Sequence, residues 1–344
     1  MMRMGIIASA YLGLISSNAI ALGFESSPYI ALFGFSTAGG FGTRASNPSS
    51  PPSNVVRGAL AFSGTDLIVP DGGTTPFVAA WPVSPAGFGT RRAGPSTPPA
   101  GATVSATESP SGNAVVTGGN TSPYLEAWQY SSGFGTKYAN PATAAGALVS
   151  GLAFHPSGNY LLSNRSGGVD LYDWSHAGGF GTKRTSPAST SGIQAAWHPS
   201  GVDMICHASA TDYANALPFS GGSFGTRYAN PATALTTSVN TFGFSASGAA
   251  VFMANNSAGQ PFIAYRYTAG IGYGTKYSDP GTPPTGLTYT TGVSADGAAI
   301  FVGQSGTPFI NVYGWTDLGG FGSRYANAAS PITNSCRAAR FLAL

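Results

Sequence analysis

The sequence predicts an all-β chain folded as a seven-bladed β-propeller with four-stranded antiparallel blades, and three observations predict it. One short phrase returns seven times at near-equal spacing. Glycine and proline are abundant while charge is scarce. No long segment carries the 3.6-residue hydrophobic period of a helix.

The phrase reads Gly40-Phe41-Gly42-Thr43-Arg44, Gly87-Phe88-Gly89-Thr90-Arg91 and Gly133-Phe134-Gly135-Thr136-Lys137. It returns as Gly179-Phe180-Gly181-Thr182-Lys183, Ser223-Phe224-Gly225-Thr226-Arg227, Gly272-Tyr273-Gly274-Thr275-Lys276 and Gly320-Phe321-Gly322-Ser323-Arg324. Its central aromatics stand 47, 46, 46, 44, 49 and 48 residues apart. A period in the forties with all-β content is what a four-stranded propeller blade occupies. The 49 glycines and 25 prolines point to many tight turns between short strands. Charged residues make up 8% of the chain and hydrophobic ones 42%, which excludes a disordered polymer.

Within one period the elements can be placed in order. Residues 150–154 form an apolar first strand and His155-Pro156-Ser157-Gly158 a turn. Residues 159–163 are a second strand, 164–168 a polar connection and 169–174 a third strand. The Gly-Phe-Gly hairpin then leads into a more polar fourth strand, 183–186. Near-continuous apolar runs suit strands buried on both faces between blades. Counting from Phe134 to Phe154 and repeating that step from Phe321 reaches Phe341, inside a C-terminal first strand with nothing after it. Residues 18–22 resemble a second strand, 29–35 a third and 44 onward a fourth. The C-terminal strand is therefore expected to complete an N-terminal blade and remove the open edge. The alternative is that residues 6–13 supply that first strand.

This leaves residues 1–16 as an N-terminal arm or extra strand ahead of a propeller over 17–344. The same stretch imitates a secretory signal: Met1-Met2-Arg3-Met4, an apolar run over 5–15, then Ala19-Ile20-Ala21 as an A-x-A cleavage pattern. No apolar run approaches the ~20 residues of a spanning helix, so no membrane insertion is expected. The net charge of +3 is spread without a basic stripe, so no nucleic-acid partner is expected either. Cys206 and Cys336 fall in different blades, which argues against a disulfide.

Candidate chemistry is sparse. Glu108 occupies the first-strand position held elsewhere by Phe62, Phe154, Phe244 and Phe341, where a carboxylate would lie close to the central channel. No acid pair recurs at matching places, as a glycosidase ring would need. His155 and His198 take equivalent turns a blade apart, and His176 and His207 add no zinc spacing, so neither metal nor cofactor is expected. The best lead is a cationic rim. Every phrase ends in a cation, Arg44, Arg91, Lys137, Lys183, Arg227, Lys276 or Arg324, and sevenfold repetition sets these charges around one face. Such a ring would draw in anions, or it would only protect outer edge strands from aggregation. The aromatics, including Trp81, Trp128, Trp174 and Trp315, are read as packing between blades. The polar second-to-third-strand loops vary from blade to blade, and variable loops on a rigid ring are where recognition usually resides.

The strand order and turns such as His155-Pro156-Ser157-Gly158 and Ser294-Ala295-Asp296-Gly297 resemble WD40-type repeats, although the family's Gly-His and Trp-Asp dipeptides are missing. The phrase Gly-Phe-Gly-Thr-Lys-Tyr-Ala-Asn-Pro-Ala-Thr, whole at 133–143, resembles repeats in virion-associated proteins of tailed bacteriophages. So do Ser27-Pro28-Tyr29, Thr75-Pro76-Phe77, Ser122-Pro123-Tyr124 and Thr307-Pro308-Phe309. That resemblance implies a non-enzymatic virion structural or appendage protein, attached to other virion proteins or to host surface glycans or an acidic polysaccharide. It transfers no catalytic residue. The alternative is a secreted bacterial propeller that binds carbohydrate.

Overall fold

The computed structural model describes residues 19–344 apart from 59, 188–193, 209–212, 258, 260 and 331, so the expected arm over 1–16 lies outside the described residues. Seven four-stranded antiparallel sheets make up the molecule, with no helix among the described residues. In six of them the strands pair in chain order, and six of the seven pairs of neighbouring first strands touch around a common axis. We number the blades from the N-terminus.

Blade 1 closes the ring. Its first strand is Cys336–Leu342, paired antiparallel with Ala19–Phe24, which pairs in turn with Ile30–Ser36 and Gly40–Arg44. Ile20 lies opposite Phe341. The C-terminal strand thus takes the place that residues 6–13 were the alternative to fill. Ile20 and Leu22 are fully buried, so both ends of the chain share one sheet and one core.

Seven hydrophobic clusters hold the ring, one at each blade-to-blade interface. Second and third strands contribute to the cluster on either side of their blade, which is why their sequences are apolar without alternation. Trp81, Trp174 and Trp315 sit in these clusters. Burying side chains such as these contributes roughly 1.5–3 kcal/mol each before the cost of ordering them.

The recurring phrase needs one correction. It is itself the fourth strand (Gly179–Arg184 in blade 4), and the turn lies before it, whereas the sequence reading put the fourth strand at 183–186. The first glycine of the phrase has a positive φ, 74° at Gly179, which bends the chain straight into pairing with the third strand. Two phrases give only a two-residue strand, Gly87–Phe88 and Ser223–Phe224. Their third strands carry Pro82 and Pro218. Val83 N–H turns inward to the Thr65 carbonyl, so the position before it should donate outward, and proline has no N–H to give.

At four of the seven joints the residue after the cation explains the repetition. Tyr138, Tyr228, Tyr277 and Tyr325 lie over the first glycine of the next blade's phrase. A Cβ added at Gly179, Gly272, Gly320 or Gly40 would come within 2.8–3.0 Å of that tyrosine. Tyr277 and Tyr325 donate from their hydroxyls to the Asp317 and Thr37 carbonyls of the following hairpin at 2.5 Å, and Tyr138 to His176 at 2.8 Å. At these four places the phrase is a joint between blades: glycine opens the space, and the tyrosine of the preceding blade fills it.

Candidate functional site

The first strands wall an axial channel that contains a cavity of about 400 Å³. Five of these strands share a bulge at an equivalent place, with Val104, Ser150, Asn240, Tyr289 and Arg337 as the extra residue. A bulge shifts the side-chain alternation by one. That shift lets Arg337 and Arg340, three residues apart and otherwise on opposite faces, line the same cavity.

Across the seven first strands the only charged residues are Glu108, Arg337 and Arg340. The guanidinium of Arg340 donates to both carboxylate oxygens of Glu108 and, at 3.0 Å, to the Leu60 carbonyl. Glu108 also accepts the Phe62 N–H at 3.1 Å. Arg337 lies 3.5 Å from the centroid of the Tyr289 ring and pairs with Glu25 at 2.8 Å. Its Nε is buried without a hydrogen-bond partner. A guanidinium has five N–H groups, so both arginines are held in place while keeping donors for a ligand. Gln194, Thr241, Tyr289, Thr290 and Thr291 complete a wall rich in uncharged polar groups.

The sequence reading found Glu108 but neither arginine. Its position in the first strand was legible from the repeat. That Arg337 shares a wall with Arg340 depends on a bulge, which no residue type announces.

The seven cations of the rim stand at equivalent places on or just past the fourth strands, and four of them turn onto the third strand. Lys137 pairs with Glu126, and Lys183 with Asp170 at 2.9 Å. Arg227 and Arg324 donate to Asn215 and Asn311, both at 2.8 Å. All four acceptor residues are buried. Where the third strand carries Ala31, Ala79 or Ile263 instead, the cation goes elsewhere: Arg44 to Asn47, Arg91 over the Trp81 ring, Lys276 to Asp279.

The histidines have local roles. His155 and His198 accept the N–H of Ser157 and Ser200 at Nδ1 and reach the carbonyls of Gly201 and Gly248 in the next blade through Nε2. Burial holds both imidazoles, and that of His207, below the usual histidine range. Cys206 and Cys336 are buried thiols in separate blades, pushed up to about 12 by desolvation.

No protein-family model matches the chain, and no curated protein matches it in sequence. Its fold is similar to many solved structures. One is a Bacteroides uniformis protein to which 6-phosphogluconolactonase activity is ascribed, with TM-score 0.71 and 13% identity, covering 94% of this chain and 99% of that one. A second is the periplasmic gluconolactonase of Pseudomonas aeruginosa, TM-score 0.68 and 14% identity, covering 94% and 98%. A third is the Cps50 (Swd1) β-propeller domain of Myceliophteria thermophila, TM-score 0.62 and 13% identity, covering 87% and 94%. These likenesses establish a WD40-like seven-bladed propeller.

They also correct the functional expectation. Three of the rings that match nearly end to end are named for lactone hydrolysis, and this finding corrects the reading of a non-enzymatic virion or attachment protein. That reading rested on a short phrase, and the structure gives the phrase a different reason to recur: at four of its seven places it is a joint between blades.

Proposed function

We propose that the axial channel is the site of a hydrolase that opens the lactone of a sugar acid. The observation that carries this reading is the pair Arg337 and Arg340, two anchored guanidiniums on the wall of a cavity whose other lining residues are neutral. The names of the similar propellers agree with it.

A sugar lactone is a neutral, polyhydroxylated ring with one ester carbonyl, and its product is an anion. Threonine, tyrosine and glutamine side chains suit the hydroxyls. When water adds to the carbonyl carbon, the carbonyl electron pair moves to oxygen, where the guanidinium N–H groups stabilise the developing charge. Collapse breaks the ring C–O bond, the leaving alkoxide takes one proton of the added water, and the carboxylic acid so formed releases the other to solvent. The carboxylate that results pairs with a guanidinium. Glu108 stands behind Arg340 and acts on it as a positioning residue.

The test is proton release from glucono-δ-lactone and from its 6-phosphate, corrected for opening in buffer. The chain should accelerate at least one of them, and Arg337→Gln should lower kcat by about a hundredfold, the usual cost of losing one oxyanion donor. If the folded chain opens neither lactone faster than buffer does, the proposal is wrong.

A further inference from the structure

A second site lies at the rim between blades 4 and 5, where a groove of about 820 Å³ is lined from both blades and shares no residue with the axial cavity. Pro218 limits the regular fourth strand of blade 5 to Ser223–Phe224, while the Tyr228 N–H just past Arg227 still returns to the Ala216 carbonyl of the third strand. Of the seven equivalent rim cations, Arg227 alone is exposed. At the same joint Arg184 stands where Tyr138, Tyr228, Tyr277 and Tyr325 stand in other blades, with its guanidinium carbon over Gly222.

The groove therefore has an arginine from each wall. Asp173 fixes Arg184 through Nε at 2.8 Å, and Asn215 orients Arg227 at 2.8 Å. Thr185, Ser186, Ser223 and Thr226 add hydroxyls, and Leu217 and Phe224 add an apolar surface. No carboxylate is among the lining residues. The volume falls within the range of small-molecule sites, about 300–1,000 Å³. Guanidinium forks match the geometry of phosphate and similar oxyanions, and paired arginines select them over carboxamides or neutral sugars.

We propose that this groove binds an oxyanion ester, a phosphate or sulfate group carried on a small hydroxylated molecule. The arginines take the anion, and the hydroxyls and Phe224 take the carrier.

The experiment is isothermal titration of the full chain with glucose 6-phosphate, glucose, inorganic phosphate and inorganic sulfate. Glucose 6-phosphate should bind more tightly than either inorganic ion, and glucose should not bind. Arg184→Gln and Arg227→Gln should each weaken glucose 6-phosphate about tenfold or more, the worth of a charged hydrogen bond. Arg337→Gln, in the axial channel, should leave this binding unchanged. Thr226→Tyr, at an exposed position, should block the groove without removing a charge. Affinity that survives Arg184→Gln, Arg227→Gln and Thr226→Tyr overturns the proposal, as does its loss on Arg337→Gln alone. Inorganic phosphate binding as tightly as the ester overturns the carrier half of it.

Discussion

Arg340 of blade 1 reaches past blade 2 to grip Glu108 of blade 3. Between them lies the shortest kind of first strand in the ring, Ala61–Ser63, whose channel-side edge has no partner strand. Arg340 donates to the Leu60 carbonyl and Glu108 accepts the Phe62 N–H. The ion pair thus stands in for a neighbouring strand on that edge, and it ties the C-terminal strand to residues 232 positions earlier in the chain.

That arrangement makes the two residues energetically coupled. Arg340→Ala leaves Glu108 with an incomplete set of donors, and Glu108→Ala leaves the Phe62 N–H unpaired. Both groups are partly solvated, so each single change should cost only about 1 kcal/mol. The double variant should cost less than the sum of the two, with a coupling of about 0.5 kcal/mol or more. Urea unfolding of the four proteins measures it. Strict additivity would mean that the pair does not act as a clasp.

The joint glycines make a sharper prediction. Gly179 has φ +74°, and a Cβ there would lie 2.8 Å from the ring of Tyr138. Gly179→Ala should destabilise the ring by more than ~1 kcal/mol, because strain and collision add. Combining it with Tyr138→Ala should recover part of the loss by removing the collision. A thermal melt of the single and double variants reads this directly. No recovery would mean that backbone strain alone sets the cost.

Acid should loosen the ring before it reaches the carboxylates. His155, His198 and His207 are held below their ordinary range chiefly by burial, so the unfolded chain binds protons that the folded chain refuses. Their contribution to stability is complete above about pH 6.5, the unfolded value. It is lost as pH falls from there through the lowered folded values. Urea midpoints should drop between pH 7.5 and 5.5, and His155→Gln should flatten that drop. An equal slope in the variant would place the acid sensitivity elsewhere.

The sequence by itself determined the ring. Seven phrases, their spacing, the apolar strands between them and the orphan strand around Phe341 are all local or periodic signals. Local and periodic signals survive in one dimension because each blade repeats the same burial problem. It also determined that Glu108 would replace an aromatic at the channel. What it left undecided was which side chains meet. Whether Arg337 and Arg340 face one cavity depends on a bulge, and whether Lys137 or Lys183 faces solvent depends on an acid opposite it on the third strand. The groove at Arg184 and Arg227 depends on which side chains two adjacent blades bring to one joint. Each is a relation between residues far apart in the chain, and only packing the blades against one another sets the distance that gives it chemical meaning.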